Sequence, residues 1–342
     1  MTATIWFNKG FSSVYNVLSL IREEDADQRF RLLCSHTSKE FIGFAAADDA
    51  FIEPVFKRDD DYLTWCLRFC REQQVGLFIP ARRASFLARH AHLFKEIGAH
   101  VSTVCPDEFH QTIDNKGLCY DFCREYGLPI PDFRIVTNLE QFDEAYALLK
   151  EQHPIVCFKP SVSVFGLGFK VLAERGREID RLLNGDVYKI GLELARSIFG
   201  EQPSFREIMV MQYLGGDERS VDCLADRGKL LRHVIRRKSG QPGGAQILEE
   251  HAEISAMTGR LTKLFSLNGL YNIQFRESGG IPYLLEINPR MSGGIHYTSP
   301  SGLNLPYWGI SYALGLCEER EIPMPRPGAR VGKADIGVVV SS

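Results

Sequence analysis

No run of apolar residues in this 342-residue chain approaches the roughly 20 that a membrane-spanning helix needs. Met1 to Phe7 has no basic stretch leading into a long apolar one, so neither a signal peptide nor a membrane partner is expected, and a cytoplasmic address follows. An excess of one charge is equally lacking. Forty Lys and Arg stand against 43 Asp and Glu, a net charge of −3, and the basic residues are scattered. Nucleic acid would call for a basic stripe or patch, so none is expected as a partner. No two of the nine cysteines have C-x-x-C spacing. Cys66 and Cys70, like Cys119 and Cys123, sit four apart on one face of helical-looking segments. That argues against zinc ligation or a disulfide framework and for reduced, mostly buried thiols. There is no G-x-G-x-x-G, and no G-K-[ST] leading into a helix, so the dinucleotide fingerprint and the P-loop are both missing. His90 and His92, two apart on a helix, face different sides and do not suit a metal.

What is there suits two or three compact units with a real core, given 44% hydrophobic and 24% charged residues. Strands Thr4–Phe7, Phe30–Cys34, Gly76–Pro80 and His100–Val104 alternate with helices over Val14–Glu23, Tyr62–Gln73 and Ala84–Gly98. That alternation implies a parallel sheet wrapped by helices, a Rossmann-like unit with a structural or substrate-facing role. Pro106-Asp107 opens a new section, with a helix over Thr112–Tyr126 ending at Gly127. Asn138 would cap a helix to about Lys150, and Ile155–Lys159 would be a strand. The chain then becomes strand-rich, with a helix over Glu249–Ser266 and another over Leu305–Leu316.

The most informative stretch runs from Tyr271 to Arg290. Two alternating runs flank Ser278-Gly279-Gly280, which reads as a hairpin. Centring the turn on Gly280 sets Gln274 opposite Glu286 and Asn272 opposite Asn288. Residues two apart share a strand face, so Gln274, Glu286 and Asn288 converge. Three oxygen ligands on one patch suit Mg²⁺. Arg290 could bring a fork of donors to a phosphate. A solvated edge strand accounts equally for Glu286 and Arg290, but less well for the small-residue loop Met291-Ser292-Gly293-Gly294 that follows. A second signal is Cys157-Phe158-Lys159-Pro160 running into the glycine loop Ser161–Gly168, where a lysine and exposed backbone N–H groups can hold phosphate oxygens. Arg236, Arg237 and Lys238 form a basic cluster that reads either as a contact to an anionic substrate or ATP, or as a solvated turn. His296 and Tyr297 could face an acceptor or serve packing.

These segments, with Asp114-Asn115-Lys116 and Met211-Gln212-Tyr213-Leu214-Gly215-Gly216-Asp217-Glu218, occur in the order found in ATP-grasp enzymes. The chain resembles a synthetase half of the carbamoyl-phosphate synthase large subunit and related carboxylate–amine ligases, over roughly Asp107 to Leu316. The resemblance implies an α/β plus α+β fold: a Rossmann-like domain at 1–106, a two-lobed ATP-grasp domain at 107–320 (lobes 107–200 and 201–320) and a tail at 321–342. It implies ATP as the phosphoryl donor, with Mg²⁺ or substituting Mn²⁺, small carboxylate and amine substrates, and room for a homodimer. By the same resemblance, Lys116 and Lys159 hold phosphates, Ser161, Gly166 and Gly168 belong to a loop over the triphosphate, and Gln212, Tyr213 and Leu214 meet the adenine. Glu218 holds the ribose, Gln274, Glu286 and Asn288 bind metal, and Arg290 steadies the phosphoryl in flight. Phosphorylation of bicarbonate or carbamate, or non-catalytic ATP binding, are the alternatives on the same fold.

Overall fold

The computed structural model describes residues 2–8, 10, 13–162, 167–174, 177–240, 243–334 and 336–340. The chain forms two compact units. One comprises 1–110, 218–274 and 287–342; the other comprises 111–217 and 275–286.

The first unit begins with β1 (Ala3–Asn8), α1 (Val14–Glu24), β2 (Phe30–His36), β3 (Asp49–Ile52), α2 (Asp59–Glu72), β4 (Val75–Pro80), α3 (Ala84–Arg89), α4 (Ala91–Glu96) and β5 (His100–Val101). Its five strands are all parallel, in the order β3-β2-β1-β4-β5. A parallel sheet with helical crossovers is covered on both faces, which is why β1 is apolar at consecutive positions. Trp6 stacks on Phe78 at 3.9 Å between ring centroids, in a core with Leu33, Tyr62 and Phe94. Ile5 and Phe7 point the other way, into a core shared with Leu224, Leu231 and Leu305 from later in the chain. The single helix expected over Ala84–Gly98 is instead two short ones, α3 and α4. At the break His90 leaves helical geometry, and its Nδ1 lies 2.9 Å from the Phe86 carbonyl. β3 was not anticipated, and β5 is shorter than the expected His100–Val104.

The helix expected over Thr112–Tyr126 is also two, α5 (Asp107–Asp114) and α6 (Lys116–Glu125). Asn115 is extended, and its side chain accepts from the Gly117 and Leu118 N–H groups. Its capping interrupts an apolar periodicity that otherwise runs through. The break sets Lys116 at the first position of α6.

The second unit continues with β6 (Phe133–Val136), α7 (Leu139–Gln152), β7 (Val156–Pro160), β8 (Lys170–Ala173), α8 (Glu178–Leu183), β9 (Lys189–Gly191), α9 (Leu192–Phe199) and β10 (Ile208–Gln212). Asn138 caps α7 by accepting from Gln141 N–H. The sheet order is β6-β10-β7-β8-β9, with β10 antiparallel to both neighbours, over a core of Phe142, Phe158, Phe199 and Val210.

The remaining elements are β11 (Glu218–Asp226), β12 (Lys229–Arg237), β13 (Gln246–Glu249), α10 (Ala252–Leu264), β14 (Gly269–Ser278), β15 (Ile281–Asn288), α11 (Leu305–Ala313) and β16 (Arg330–Val331). The strands form a six-stranded sheet, β15-β14-β11-β12-β13-β16. The strand Gln246–Glu249 was not expected, and it takes in Glu249, the expected first residue of a helix; α10 begins only after His251, whose ring accepts from Ile254 N–H. The division between the two units falls within β14 and within β15. Gly279 and Gly280, at φ +59° and +82°, make the two-residue turn between these strands. Positive φ at both positions is the type I′ geometry that matches strand twist, and it favours glycine. Gly280→Ala is therefore expected to cost about 1–2 kcal/mol, read as a lower urea midpoint; an unchanged midpoint would contradict the turn assignment.

Candidate functional site

In the second unit, β7 carries Lys159, α6 opens with Lys116 and β15 carries Glu286. Both lysines are buried. Lys159 Nζ donates to the Tyr120 hydroxyl at 3.3 Å and lies 5.4 Å from that ring's centroid. Tyr120 donates in turn to the Leu285 carbonyl at 2.7 Å, which commits its proton and turns a lone pair to the lysine. Lys116 Nζ is 3.5 Å from Glu286 Oε2, and Lys116 N–H donates to the Ser161 carbonyl at 3.1 Å. Two cations thus share one carboxylate and one neutral phenol.

Burial is the main force on Lys159, lowering its pKa from 10.5 to about 8; Lys116 adds to the fall and Glu286 opposes it. The Tyr120 phenol is held well above its usual range, chiefly by burial. Burial also pushes the Cys157 thiol up to about 12 against the pull of Lys159 and Arg276, so Cys157 is no thiolate nucleophile. Ser161 is fully buried, and its Oγ has no hydrogen-bond partner among the described residues. Gly166 lies outside the described residues. Gly168 has φ +80°, and a Cβ there would meet the Pro160 ring at 2.8 Å, so two demands fix glycine at that position.

Gln212 uses its side chain on Asp132, accepting from that N–H at 2.9 Å, while its own N–H donates to the Asp132 carbonyl. Tyr213 N–H donates to the Ile155 carbonyl. Among the described residues no hydrogen bond engages Leu214 N–H.

In the first unit, Gln274, Asn288 and Arg290 gather around Asn272, which is fully buried. Gln274 Nε2 and Asn288 Nδ2 both lie near Asn272 Oδ1, at 3.3 and 3.5 Å, and Arg290 donates to Asn288 Oδ1 at 3.3 Å. Asn272 Nδ2 donates to Ser220 Oγ, the Val221 carbonyl and Asp222 Oδ1 at 2.9–3.0 Å. Arg236 closes the network. It is 2% exposed, donates to Asp222 at 2.7 Å, Ser220 at 3.1 Å and Ser292 at 3.0 Å, and also bonds Gln246. The solvated-turn alternative for Arg236 is therefore wrong: directly opposite Ser220 in the β11–β12 pairing, it is a buried ion-pair partner. Arg237 pairs with Glu249, and Lys238 with Glu218. Ser220, Asp222 and Asn272 have no assigned role in the sequence reading. Their signal was polar residues at alternate positions in otherwise apolar strands.

Glu286 belongs to the second unit, and Gln274 and Asn288 belong to the first. Glu286 and Asn288 are two apart on β15. Among the described residues no cluster of three His, Cys, Asp or Glu that could hold a metal ion is present.

Two of the openings in the first unit reach Arg290 or Gln274. A mainly apolar cavity of about 110 Å³ sits at the carboxyl ends of β1 and β4, lined by Phe7, Ile79, Leu270 and Arg290 among others. A larger pocket of about 590 Å³ is reached by Gln274, Ser292 and Arg236.

Residues 204–335 match the family described as ATP-grasp in the biosynthetic pathway with Ter operon. The chain is 28% identical to the carbamoyl phosphate synthase large chain of Thermus thermophilus over 203 residues, 56% of this chain and 18% of that protein. It thus spans under a fifth of that relative. Among solved structures, the ADP complex of PurK, N5-carboxyaminoimidazole ribonucleotide synthetase, superposes with a TM-score of 0.66 at 15% identity, covering 96% of this chain and 80% of that one. An L-amino acid ligase from Bacillus licheniformis gives 0.61 at 15% identity, covering 95% and 78%. The chain has the ATP-grasp fold, mixed helices and sheets included. The sequence likeness is confined to residues 204–335 for the ATP-grasp family and to 56% of the chain for the synthase.

The Lys159 pKa has a thermodynamic sign. A lysine at about 8 in the folded chain and 10.5 when free burdens the fold while charged. That cost is full below about pH 8 and is relieved as pH rises toward 10.5, where the unfolded chain holds more protons. NMR of ¹³Cε-labelled lysine is expected to show Lys159 titrating near pH 8. Glu286→Gln should move it lower and Lys116→Met higher. A Lys159 midpoint at its ordinary value would contradict the buried-cation reading.

Proposed function

We propose that the chain is an ATP- and Mg²⁺-dependent carbon–nitrogen ligase that phosphorylates a carboxylate and joins the acyl group to an amine, releasing ADP and phosphate. The observation that carries this reading is the Lys116–Lys159–Tyr120–Glu286 cluster. A buried ammonium that donates to a neutral phenol is poorly compensated, and an anion beside it would repay the desolvation.

Lys116 and Lys159 hold phosphate oxygens in this reading, and the buried Ser161 hydroxyl supplies a donor next to them. Leu214 N–H and the Gln212 carbonyl meet the adenine edge. The Gln212 side chain does not, because it is spent on Asp132. Glu218 is the ribose contact, reached past its pairing with Lys238. Gln274, Glu286 and Asn288 would hold Mg²⁺, with Mn²⁺ as a substitute, and the metal would neutralise phosphate charge. Arg290, tethered to Asn288 and the Met291 carbonyl, donates to the phosphoryl group in transfer. The substrate carboxylate oxygen attacks the γ-phosphorus, and the bond to ADP breaks. The amine then attacks the acyl carbon, loses a proton and expels phosphate. No protein nucleophile takes part, so acceleration comes from positioning and charge neutralisation.

The segmentation that goes with this reading is a Rossmann-like domain at 1–106, ATP-grasp lobes at 107–200 and 201–320, and a tail at 321–342, in a cytoplasmic enzyme of small molecules. Among the described residues no helix is long and apolar enough to cross a membrane. The likeness to a carbamoyl phosphate synthase large chain favours one second reading, bicarbonate or carbamate as the group phosphorylated.

The test is Glu286→Gln, assayed for ADP formation with Mg²⁺-ATP and pooled amino acids and small carboxylates. Turnover is expected to fall at least about 100-fold, while far-ultraviolet circular dichroism shows the variant folded like wild type. Wild-type turnover in the variant would contradict the assignment.

A further inference from the structure

The apolar cavity beside Arg290 has no part in the chemistry above. It lies where β1 and β4 end, and every residue that lines it belongs to the first unit. In the sheet order β3-β2-β1-β4-β5 the chain leaves β1 for β2 on one side, and leaves β4 for β5 on the other. The two connections diverge, which makes the crevice between these strands the topological switch point, where open parallel sheets bind ligands. α1 contributes Val14 and Val17 to the lining, and α3 contributes Ala84 and Ala88, four apart on one helix face. Leu270 on β14 and Ile310 on α11 complete the apolar part.

The space is not a general looseness of packing. Behind Leu270 the wall is tight, since a Cβ at Gly309 would come within 2.7 Å of that side chain. The room is left by the small residues of α3. Among the described residues only Arg290 and His110 of the lining are ionisable. Arg290 already donates to Asn288 Oδ1 and the Met291 carbonyl, and the His110 ring meets Cys105 Sγ at 3.5 Å. Lys9, Phe11 and Ser12 of the adjoining segment lie outside the described residues. The lining therefore defines an uncharged group and not the sign of a charged one.

Volume narrows that group. About 110 Å³ falls short of the ~300–1,000 Å³ of pockets that take a whole drug-sized molecule. It is nearer the ~150 Å³ at which an apolar cavity holds benzene or xenon. The occupant is one compact group of about four or five carbons. Arg290 ties the cavity to the candidate chemistry, because the residue proposed to meet the phosphoryl group is also part of this lining.

We propose that this cavity is a side-chain site for substrate: it binds a compact, uncharged aliphatic group carried by one of the two molecules the chain joins, and Ala84 and Ala88 set the size it admits. What is done with the bound molecule rests on the ligase reading; the binding of the group does not. Bicarbonate and carbamate carry no such group, so the cavity speaks for a substrate with a carbon skeleton.

The probe is xenon, applied under pressure to the full chain with ¹³C-labelled isoleucine and leucine methyls and read by NMR. The methyls of Ile79, Leu270 and Ile310 are expected to shift, and those of Ile254, buried on α10 outside the lining, are not. Ala88→Leu adds volume at a half-buried position of the lining and should weaken xenon binding at least about tenfold. Ala84→Leu, on the same face, makes the same test if the first variant does not fold. Ala252→Leu, the same change at an exposed site on α10, should leave binding within about twofold. Isobutyrate and isobutylamine are then titrated separately against xenon. Displacement by isobutyrate puts the group on the carboxylate substrate, displacement by isobutylamine puts it on the amine, and bicarbonate should displace nothing. No shift at the three methyls, equal xenon affinity in wild type and the filled variants, or displacement by neither organic probe would overturn the proposal. ADP formation from Mg²⁺-ATP with pooled substrates separates the two readings. If no ADP forms while an organic probe displaces xenon, the ligase reading falls and the site stands; if ADP forms while the cavity results fail, only this inference falls.

Discussion

A lysine ammonium buried against a phenol is the constraint around which much of the candidate chemistry is arranged. Lys159 sits on β7 with Tyr120 beneath it, and Tyr120 is oriented by giving its proton to the Leu285 carbonyl. The hydrogen bond to a neutral oxygen meets the geometric need of the ammonium but supplies little charge. Glu286 lies 3.5 Å from Lys116, so its carboxylate is divided between two cations. Such a site is costly to keep without a ligand and gains from any bound polyanion. The break between α5 and α6 matters for the same reason. It makes Lys116 the first residue of α6 and lets its N–H reach Ser161, binding the start of the glycine loop to the helix.

The first unit solves a different problem, holding three amide and guanidinium side chains in one place. Asn272 is the centre. Its amide nitrogen is spent on Ser220, Val221 and Asp222, which fixes the oxygen toward Gln274 and Asn288. Asp222 and Arg236 form a buried pair, and removing either partner would leave a charge uncompensated, a change of about 3–5 kcal/mol. A site whose outer supports are this expensive to disturb is pre-organised, and that is what catalysis by positioning requires.

The legible part of the fold was the part with simple periodicity. The alternation of β1, β2 and β4 with helices predicted a parallel sheet, and Ser278-Gly279-Gly280 predicted the hairpin, because turn chemistry and strand period are local properties. The unread part depended on caps and distant partners. Asn115 and His90 split helices whose apolar spacing runs straight through, and Gln246–Glu249 is a strand that pairs with β12 on one side and β16 on the other. Among site residues, the polar alternation of Gln274, Glu286 and Asn288 was visible. Asn272 and Asp222 looked like ordinary strand residues until the pairing of Ser220 with Arg236 placed them around a buried guanidinium. Gln212 was assigned to the adenine by resemblance, and only the structure shows that its side chain is committed to Asp132.

The central claim is that a carboxylate oxygen attacks the γ-phosphorus of ATP. The most direct measurement follows carboxylates labelled with heavy oxygen through ligation in Mg²⁺-ATP, with nucleotides separated by chromatography and released phosphate examined by mass spectrometry. The account predicts ADP as the nucleotide product and the label in inorganic phosphate. AMP with pyrophosphate, or unlabelled phosphate while ligated product accumulates, would contradict it.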